Sequence, residues 1–375
     1  MPPSLNQTDR DAFFMARALK LAEKGLYTTD PNPRVGCVIV KQDRILGEGW
    51  HRRSGGPHAE VEALAHIQEN ARGATAYVTL EPCCHHGKTP PCVAALIHAG
   101  ISRVVCATED PNPLVAGKGL KQLQDAGMEV QSGLMRAGSE ALNPGFFKRM
   151  RSGLPFIRSK IAMSLDGRTA MASGESQWIT GKDARRDVHY LRARSSAIMT
   201  GIGTVLADRP QLTVRLNDLN EYVPPLRVIL DTHLRTPQDI SLVQDGLETL
   251  IVTSRSPEAS WSKFDNIDFL LLPSEISKKA GMPLILQHLA ERGINEIMVE
   301  AGPKLNGSLL SENWADEWIL YIAPKILGDE GKGLFHLPQL SSLSEAPQLH
   351  LTQHQVIGDD QKMTFIRRQN VHGHH

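Results

Sequence analysis

The sequence predicts two consecutive α/β domains, and three observations carry the prediction. Its 375 residues exceed the size at which a single hydrophobic core usually keeps growing. Strand-like and helix-like patterns alternate through both halves, which favours parallel strands with helices packed on the sheet. Between the halves, NPGFFKRMRSGLP at 143–155 combines a Pro-Gly pair, a basic cluster and a further Gly and Pro. The division is therefore set at 1–150 and 151–375.

Thr8 to Lys24 reads as an amphipathic helix: Thr8 is the N-cap, Asp11 follows three residues on, and Phe13, Met15, Ala16, Leu19 and Ala22 recur at helical spacing. PNPRVGCVIV and ILGEGW, separated by the polar break Lys41–Arg44, form a β-hairpin. GGPHAEVEALAHI is a helix with Pro57 at or near its first position, ATAYVTL a strand, and PPCVAALIHAG a helix closed by Gly100. RVVCAT, a helix around Gly119–Ala126 and MEVQSG continue the alternation. In the second half the strands are FIRSKIAMS, AIMTG, LRVILDT, LETLIVTS, NEIMVE and WILYIAP, with helices at Asp183–Arg194 and around Leu284–Arg292.

Composition narrows the function. Forty-one basic residues balance 41 acidic ones, so no global positive field gathers nucleic acid or an anionic membrane. No apolar run is long enough to span a bilayer, and MPPSLNQTDRD has neither the basic nor the apolar part of a leader. The expectation is a cytoplasmic homo-oligomer acting on a small molecule, with no nucleic-acid or membrane partner.

All five cysteines (Cys37, Cys83, Cys84, Cys92 and Cys106) lie in the first third of the chain. An odd cluster beside histidines points to metal or catalysis rather than to a disulfide framework. Three pieces converge: Pro57-His58-Ala59-Glu60 at a helix start, Glu81-Pro82-Cys83 at a strand end, and Pro91-Cys92 at the next helix start. His58, Cys83 and Cys92 supply the three protein ligands of a catalytic zinc with one position left open, and Glu60 is placed to move protons. The alternatives are a structural zinc knuckle, with Cys84 as a fourth ligand, and a reduced cysteine cluster. Cys37 and Cys106, inside apolar strands, read as small buried hydrophobes.

The H-x-E and P-C pattern resembles the zinc nucleobase deaminases. Here Cys83 and Cys92 stand nine positions apart in PCCHHGKTPPC, which departs from the short P-C-x-x-C form and is similar to the riboflavin-pathway pyrimidine deaminases. That resemblance implies a cytidine-deaminase-like three-layer αβα domain, Glu60 as general acid/base, and substrate contacts from Asn32, His51, His85 and Lys88. Read singly, these four are a turn residue, a strand-end residue and two loop residues.

The second half has no P-loop and no dinucleotide fingerprint between a strand and a helix. It does have Gly-rich turns after strands, at Thr200–Thr204 and at Glu300–Ser308, whose backbone N–H groups can cradle a phosphate. SKIAMSLDGRTA, SGESQWIT, TGIGTVLADRPQLTVR and VEAGPKLNGSLL occur in an order and spacing similar to the reductase half of bifunctional riboflavin-biosynthesis deaminase/reductases. The resemblance implies a dihydrofolate-reductase-like α/β domain that binds NADPH. It places the cofactor against Ala162, Trp178, Thr204, Asp208, a polar residue near Thr232, and the turn of Gly302, Pro303, Lys304, Leu305, Asn306, Gly307 and Ser308. It places the sugar-phosphate substrate against Ser176, Arg192, Leu212, Arg215 and Glu300. Arg192 and Arg215 suit a phosphate because a guanidinium fork binds its oxygens bidentately. Lys160 stands either as a positive charge beside the sugar or as a strand-edge lysine, and Asp166 reads as a turn former.

The whole pattern implies zinc-dependent deamination of 2,5-diamino-6-(5-phosphoribosylamino)pyrimidin-4(3H)-one, followed by NADPH reduction of its ribosyl group. Two other readings share parts of the pattern. One is a zinc deaminase of another base or nucleoside with a non-reductase second domain; the other is a non-catalytic zinc protein.

Overall fold

A computed structural model describes residues 6–85, 90–273, 278–338 and 340–367. Lys88 and the histidine-containing C-terminal tail lie outside the described residues. The chain divides into two compact units, one ending at Leu154 and taking in Glu221–Val223, the other beginning at Pro155.

In the first unit, α1 (Gln7–Ala22) is capped by Asn6 rather than by Thr8. The Asn6 backbone is extended and its side chain accepts the Asp9 N–H at 3.0 Å, whereas Thr8 is already helical. β1 (Gly36–Lys41) and β2 (Arg44–Trp50) pair antiparallel through a turn in which Gln42 and Asp43 both take positive φ. α2 (Ala59–Ala65) starts later than its proline suggested: His58 is the N-cap and Pro57 precedes it. β3 (Thr75–Val78), α3 (Cys92–His98), β4 (Arg103–Cys106), α4 (Lys118–Asp125) and β5 (Glu129–Ser132) follow as the alternation predicts. α5 (Arg136–Leu142) and α6 (Pro144–Ser152) occupy the stretch read as a boundary; Pro144 opens α6 and Gly153, with positive φ, closes it.

The sheet order is β2-β1-β3-β4-β5, with β3, β4 and β5 parallel. Strand alternation sends Val38, Val40 and Tyr77 to one face, against Phe14, Met15 and Ala18 of α1. It sends Cys37, Ile39, Ala76 and Val78 to the other, against Ala59, Ala63, Val93 and Leu96 of α2 and α3. The unit is therefore three layers, αβα. Both metal-site helices lie on one face, and their N-termini meet the loop that leaves β3.

The second unit runs β6 (Phe156–Ser164), α7 (Lys182–Arg194), β7 (Ala197–Gly201), α8 (Ile202–Asp208), β8 (Leu226–Leu230), α9 (Ser241–Gln244), β9 (Thr249–Thr253) and β10 (Ile267–Leu271). It continues with α10 (Lys278–Glu291), β11 (Glu296–Val299), α11 (Pro303–Ser311), β12 (Glu317–Ala323), β13 (Leu349–Ile357) and β14 (Asp360–Arg367). α10 begins before Leu284 and runs through Pro283, giving up one backbone N–H bond. The sheet order is β10-β9-β8-β7-β11-β6-β12-β14-β13. The first seven strands of that order are parallel and β14 pairs antiparallel with both neighbours. The carboxyl ends of β7 and β11 carry the two Gly-rich turns, and ligands of open parallel sheets bind at such ends.

Candidate active sites

In the first unit His58 sits at the N-cap of α2, Cys92 is the first residue of α3, and Cys83 lies on the loop between β3 and α3. His58 Nδ1 is 3.2 Å from Cys92 Sγ and 3.4 Å from Cys83 Sγ. All three donor atoms lie within 4.8 Å of one another. A tetrahedral zinc, with bonds of about 2.3 Å to sulfur and about 2.1 Å to nitrogen, sets such N and S atoms roughly 3.6 Å apart. One imidazole and two thiols at these separations fit zinc after a few tenths of an ångström of relaxation.

Cys83 and Cys92 share a hydrogen bond and their thiols shift in opposite directions. The hydrogen bond shared with Cys92 pulls the Cys83 thiol down to about 4, with His58 assisting; the same sharing and burial push Cys92 up. Cys84 is not part of the cluster, and its thiol is raised by desolvation. Glu60, in the first turn of α2, is 3% exposed, and burial raises its carboxyl above the ordinary range.

The site opens into a cavity of about 360 Å³ whose wall includes Asn32, His51, His58, Glu60, Cys83 and His85. His51 Nδ1 is 2.9 Å from the Pro57 carbonyl and Nε2 is 3.0 Å from Asn32 Nδ2. With Nδ1–H donating to Pro57, Nε2 accepts from Asn32, and burial keeps the ring neutral by lowering its pKa. Asn32 and His51 are thus one unit on the cavity wall.

Sequence reasoning missed Asp110 and Asn112, which line the same cavity. Burial pushes Asp110 up to about 6. The tetrapeptide Asp-Pro-Asn-Pro occurs at 30–33 and again at 110–113, and both copies contribute to this wall. That echo was the available signal. The loop carrying the second copy is anchored by Glu81, 3% exposed. Its carboxylate accepts backbone N–H groups of Asp110 (3.0 Å), Gly117 (2.9 Å), Gly119 (2.9 Å) and Leu120 (3.3 Å).

In the second unit Glu300, just past β11, is the hub. Arg192 of α7 holds it bidentately at 2.6 and 3.1 Å, and Lys160 of β6 lies 3.1 Å away. These cations hold the half-buried Glu300 carboxyl below its ordinary range against desolvation. Lys160 is therefore an ion-pair member rather than a free strand-edge lysine. Arg192 also donates to the Thr213 carbonyl at 2.8 Å, joining α7 to the loop that holds buried Leu212 and exposed Arg215. Ser176 Oγ donates to Asp208 at 3.3 Å.

The Gly-rich turns are open. A methyl built on Gly201, Gly203 or Gly302 would meet nothing within 4 Å, so a ligand can approach this backbone closely. Gly302 is the N-cap of α11, and Thr204 lies in the first turn of α8. Within the second turn, Lys304 is exposed while Pro303, Leu305 and Ser308 are half-buried. Asn306 and Gly307 point inward. Asn306 bonds Ser159 Oγ at 2.9 Å and the Ala301 carbonyl at 3.0 Å, and a methyl on Gly307 would come within 2.2 Å of the His336 carbonyl oxygen. Trp178 is 60% exposed, with the Arg185 guanidinium 4.7 Å from its ring centre. Ala162 lies on half-buried β6, and exposed Thr232 follows β8, its carbonyl accepting from Ser254 N–H at 3.0 Å.

Comparison with known proteins agrees with this division. Residues 8–108 match the cytidine and deoxycytidylate deaminase zinc-binding region, and residues 155–363 match the RibD C-terminal domain. The riboflavin biosynthesis protein RibD of Escherichia coli K12 is 50% identical over 361 residues, covering 94% of this chain and 98% of that one. Its Haemophilus influenzae counterpart is 49% identical over 371 residues, covering 96% and 98%. The solved Acinetobacter baumannii RibD has a TM-score of 0.91 at 42% identity, over 97% of this chain and 100% of that one. A Thermotoga maritima structure, titled as a diaminohydroxyphosphoribosylaminopyrimidine deaminase/5-amino-6-(5-phosphoribosylamino)uracil reductase, has a TM-score of 0.86 at 35% identity, over 97% and 100%.

Fold and site define the class: a zinc-site deaminase domain fused to an α/β reductase domain. The chain belongs to the RibD family, the bifunctional deaminase/reductases of riboflavin biosynthesis. Among the described residues no helix is long and apolar enough to cross a membrane.

Proposed function

We propose that the first unit hydrolyses the 2-amino group of 2,5-diamino-6-(5-phosphoribosylamino)pyrimidin-4(3H)-one and that the second reduces the ribosyl group of the product with NADPH. The observation that carries the reading is the convergence of His58 and Cys83, on the wall of one cavity with buried Glu60, and of Cys92, buried behind them. His58 and the two cysteines would hold zinc, which when bound supplies the Lewis acidity that activates water at neutral pH.

Glu60 receives the proton released as water adds to the ring carbon bearing the 2-amino group, and returns it as ammonia departs. The balance is one water in and one ammonia out. Asn32, His51 and His85 orient the heterocycle from the cavity wall, with Lys88 proposed to meet its phosphate. The burial of Glu60 and His51 strengthens the polar contacts these two make.

In the second unit, Gly302–Ser308, Thr204, Asp208, Ala162, Trp178 and Thr232 are the residues proposed to hold NADPH, which supplies the hydride. Within that turn, Asn306 and Gly307 contribute by holding its shape, since both face inward. Ser176, Arg192, Leu212, Arg215, Glu300 and Lys160 hold the sugar phosphate. The guanidinium of Arg215 is on the exposed loop and suits the phosphate, while the ion-paired Lys160 sets a positive charge at the sugar end. The chain's share of this step is orientation of the sugar against the cofactor.

The test is Glu60→Gln in zinc-loaded protein. Zinc should stay at one equivalent, deamination should fall by about 10²- to 10⁴-fold as expected for loss of a general acid/base, and reduction of supplied deaminated substrate should be unchanged. Loss of both activities with zinc retained contradicts the separation of the two steps.

A further inference from the structure

His189 lies on α7, one turn before Arg192, and faces the loop that carries Arg215. Its Nδ1 is 3.2 Å from the backbone N of Arg215, which donates to it, and 3.2 Å from the Thr213 carbonyl oxygen. The ring nitrogen cannot serve both groups at once. The Thr213 carbonyl already has a donor, Arg192 Nη1 at 2.8 Å. If Nδ1 carried the proton, the Arg215 N–H would face another N–H and lose its acceptor. A bare Nδ1 leaves both the Thr213 carbonyl and the Arg215 N–H partnered, which places the proton on Nε2.

We propose that His189 is a positioning residue for the reductase reaction: a neutral imidazole whose Nδ1 holds the Thr213–Arg215 backbone so that Arg215 meets the substrate phosphate. The proposal rests on the reading that Arg215 binds that phosphate. Arg192 and His189, three residues apart on one face of α7, grip successive backbone groups of the same loop, one as donor and one as acceptor. Arg192 is itself fixed by Glu300, which is fixed by Lys160. Loop, helix and sheet are thereby joined in one chain of contacts, and His189 closes it on the Arg215 side. A neutral ring is what the surroundings favour: burial and the neighbouring Arg192 and Arg215 push its pKa down to about 4. A histidinium here would remove the acceptor and add another cation beside Arg192 and Arg215.

The geometry separates two substitutions. Asparagine places its Oδ1 close to where Nδ1 stands and can still accept the Arg215 N–H; leucine fills similar space with no acceptor. The experiment measures steady-state reduction of deaminated substrate by the full-length holoenzyme for wild type, His189→Leu, His189→Asn and Arg215→Ala. Titration of NADPH by calorimetry and the deamination rate of the same chain serve as readouts of an intact fold.

His189→Leu should raise KM for the phosphorylated substrate about tenfold, the scale of leaving one backbone donor without its acceptor, with kcat and NADPH affinity within about twofold. His189→Asn should recover most of that loss, and Arg215→Ala should raise KM at least as much as His189→Leu. An unchanged KM in His189→Leu, alongside a raised KM in Arg215→Ala, overturns the positioning role while leaving the phosphate reading intact. A flat KM in Arg215→Ala overturns the phosphate reading, and the inference with it. If His189→Leu loses NADPH binding and deamination together with KM, or if asparagine recovers nothing, the residue is structural only and the proposal fails.

Discussion

A single methyl group added at Gly119 should weaken the deaminase half and spare the reductase half. Gly119 is the second residue of α4, buried against the loop that leads to Cys83. A Cβ there would stand 2.1 Å from the Pro82 carbonyl oxygen and 3.1 Å from Glu81 Oε1. Non-bonded carbon contacts settle at about 3.5 Å, so the backbone must separate by more than about 1 Å. The obstacle is main chain, and no side chain can swing aside to absorb it.

The first contacts to stretch are the two that Glu81 Oε1 receives from Gly119 and Leu120, at 2.9 and 3.3 Å. Overpacking of this kind costs about 1–3 kcal/mol, and a buried carboxylate losing two donors adds about 1–3 kcal/mol more. Gly119→Ala should therefore lower the first unit's unfolding free energy by about 2–6 kcal/mol. It should also raise the deaminase KM, since Asp110 and Asn112 ride on the displaced loop. The assay is calorimetry with zinc analysis and separate kinetics for the two steps. Full zinc, an unchanged melting temperature and an unchanged deaminase KM would refute the reasoning.

Other perturbations follow from the same contacts. Stripping zinc with a chelator should abolish deamination, destabilise the first unit in calorimetry, and leave the rate of reduction of supplied deaminated substrate unchanged; added zinc should restore the first two. His189 binds its proton less tightly folded, at about 4, than unfolded, at 6.5, so between these values the unfolded chain holds more protons. Stability then rises with pH across that window and is lost as pH falls through it. After allowance for solvent screening the loss is about 1–2 kcal/mol. Urea unfolding of wild type and His189→Asn at pH 7 and pH 5 checks this, with a steeper fall expected for wild type.

Much of the fold could be read from residue pattern because its elements are one-sided. β1 alternates Cys37 and Ile39 against Val38 and Val40, each set meeting a different helical layer. The C-terminal hairpin escaped for the opposite reason: β13, LHLTQHQVI, is exposed along nearly its whole length, and a strand with no buried face has no apolar alternation. β10, IDFLL, was missed although Asp265-Asn266 and Pro273 flank it, because five residues are too few to show a period.

Helix starts were misjudged by one or two residues where two residues could cap, as at Asn6 and Thr8, or where a proline stood just outside, as at Pro57. The cluster of His58, Cys83 and Cys92 was legible because local motifs carry its members, two at helix starts and one after a strand. Asp110 and Asn112 were not singled out, and Glu81 was named only as a neighbour of Cys83, because their roles arise from a loop folding back across the cavity. Nor was the inward direction of Asn306 and Gly307 visible: a glycine-rich turn reads the same whether its glycines face a ligand or a neighbouring carbonyl.

The central claim, two activities in sequence on one chain, is tested most directly by mass spectrometry of the products formed from the diaminopyrimidine ribosylamino phosphate by zinc-loaded protein, with and without NADPH. Exchange of amine for oxygen without cofactor, and two added hydrogens only when NADPH is present, is the predicted result. Deamination that is never followed by reduction would contradict the assignment of the second unit, and no reaction with zinc bound would contradict the account as a whole.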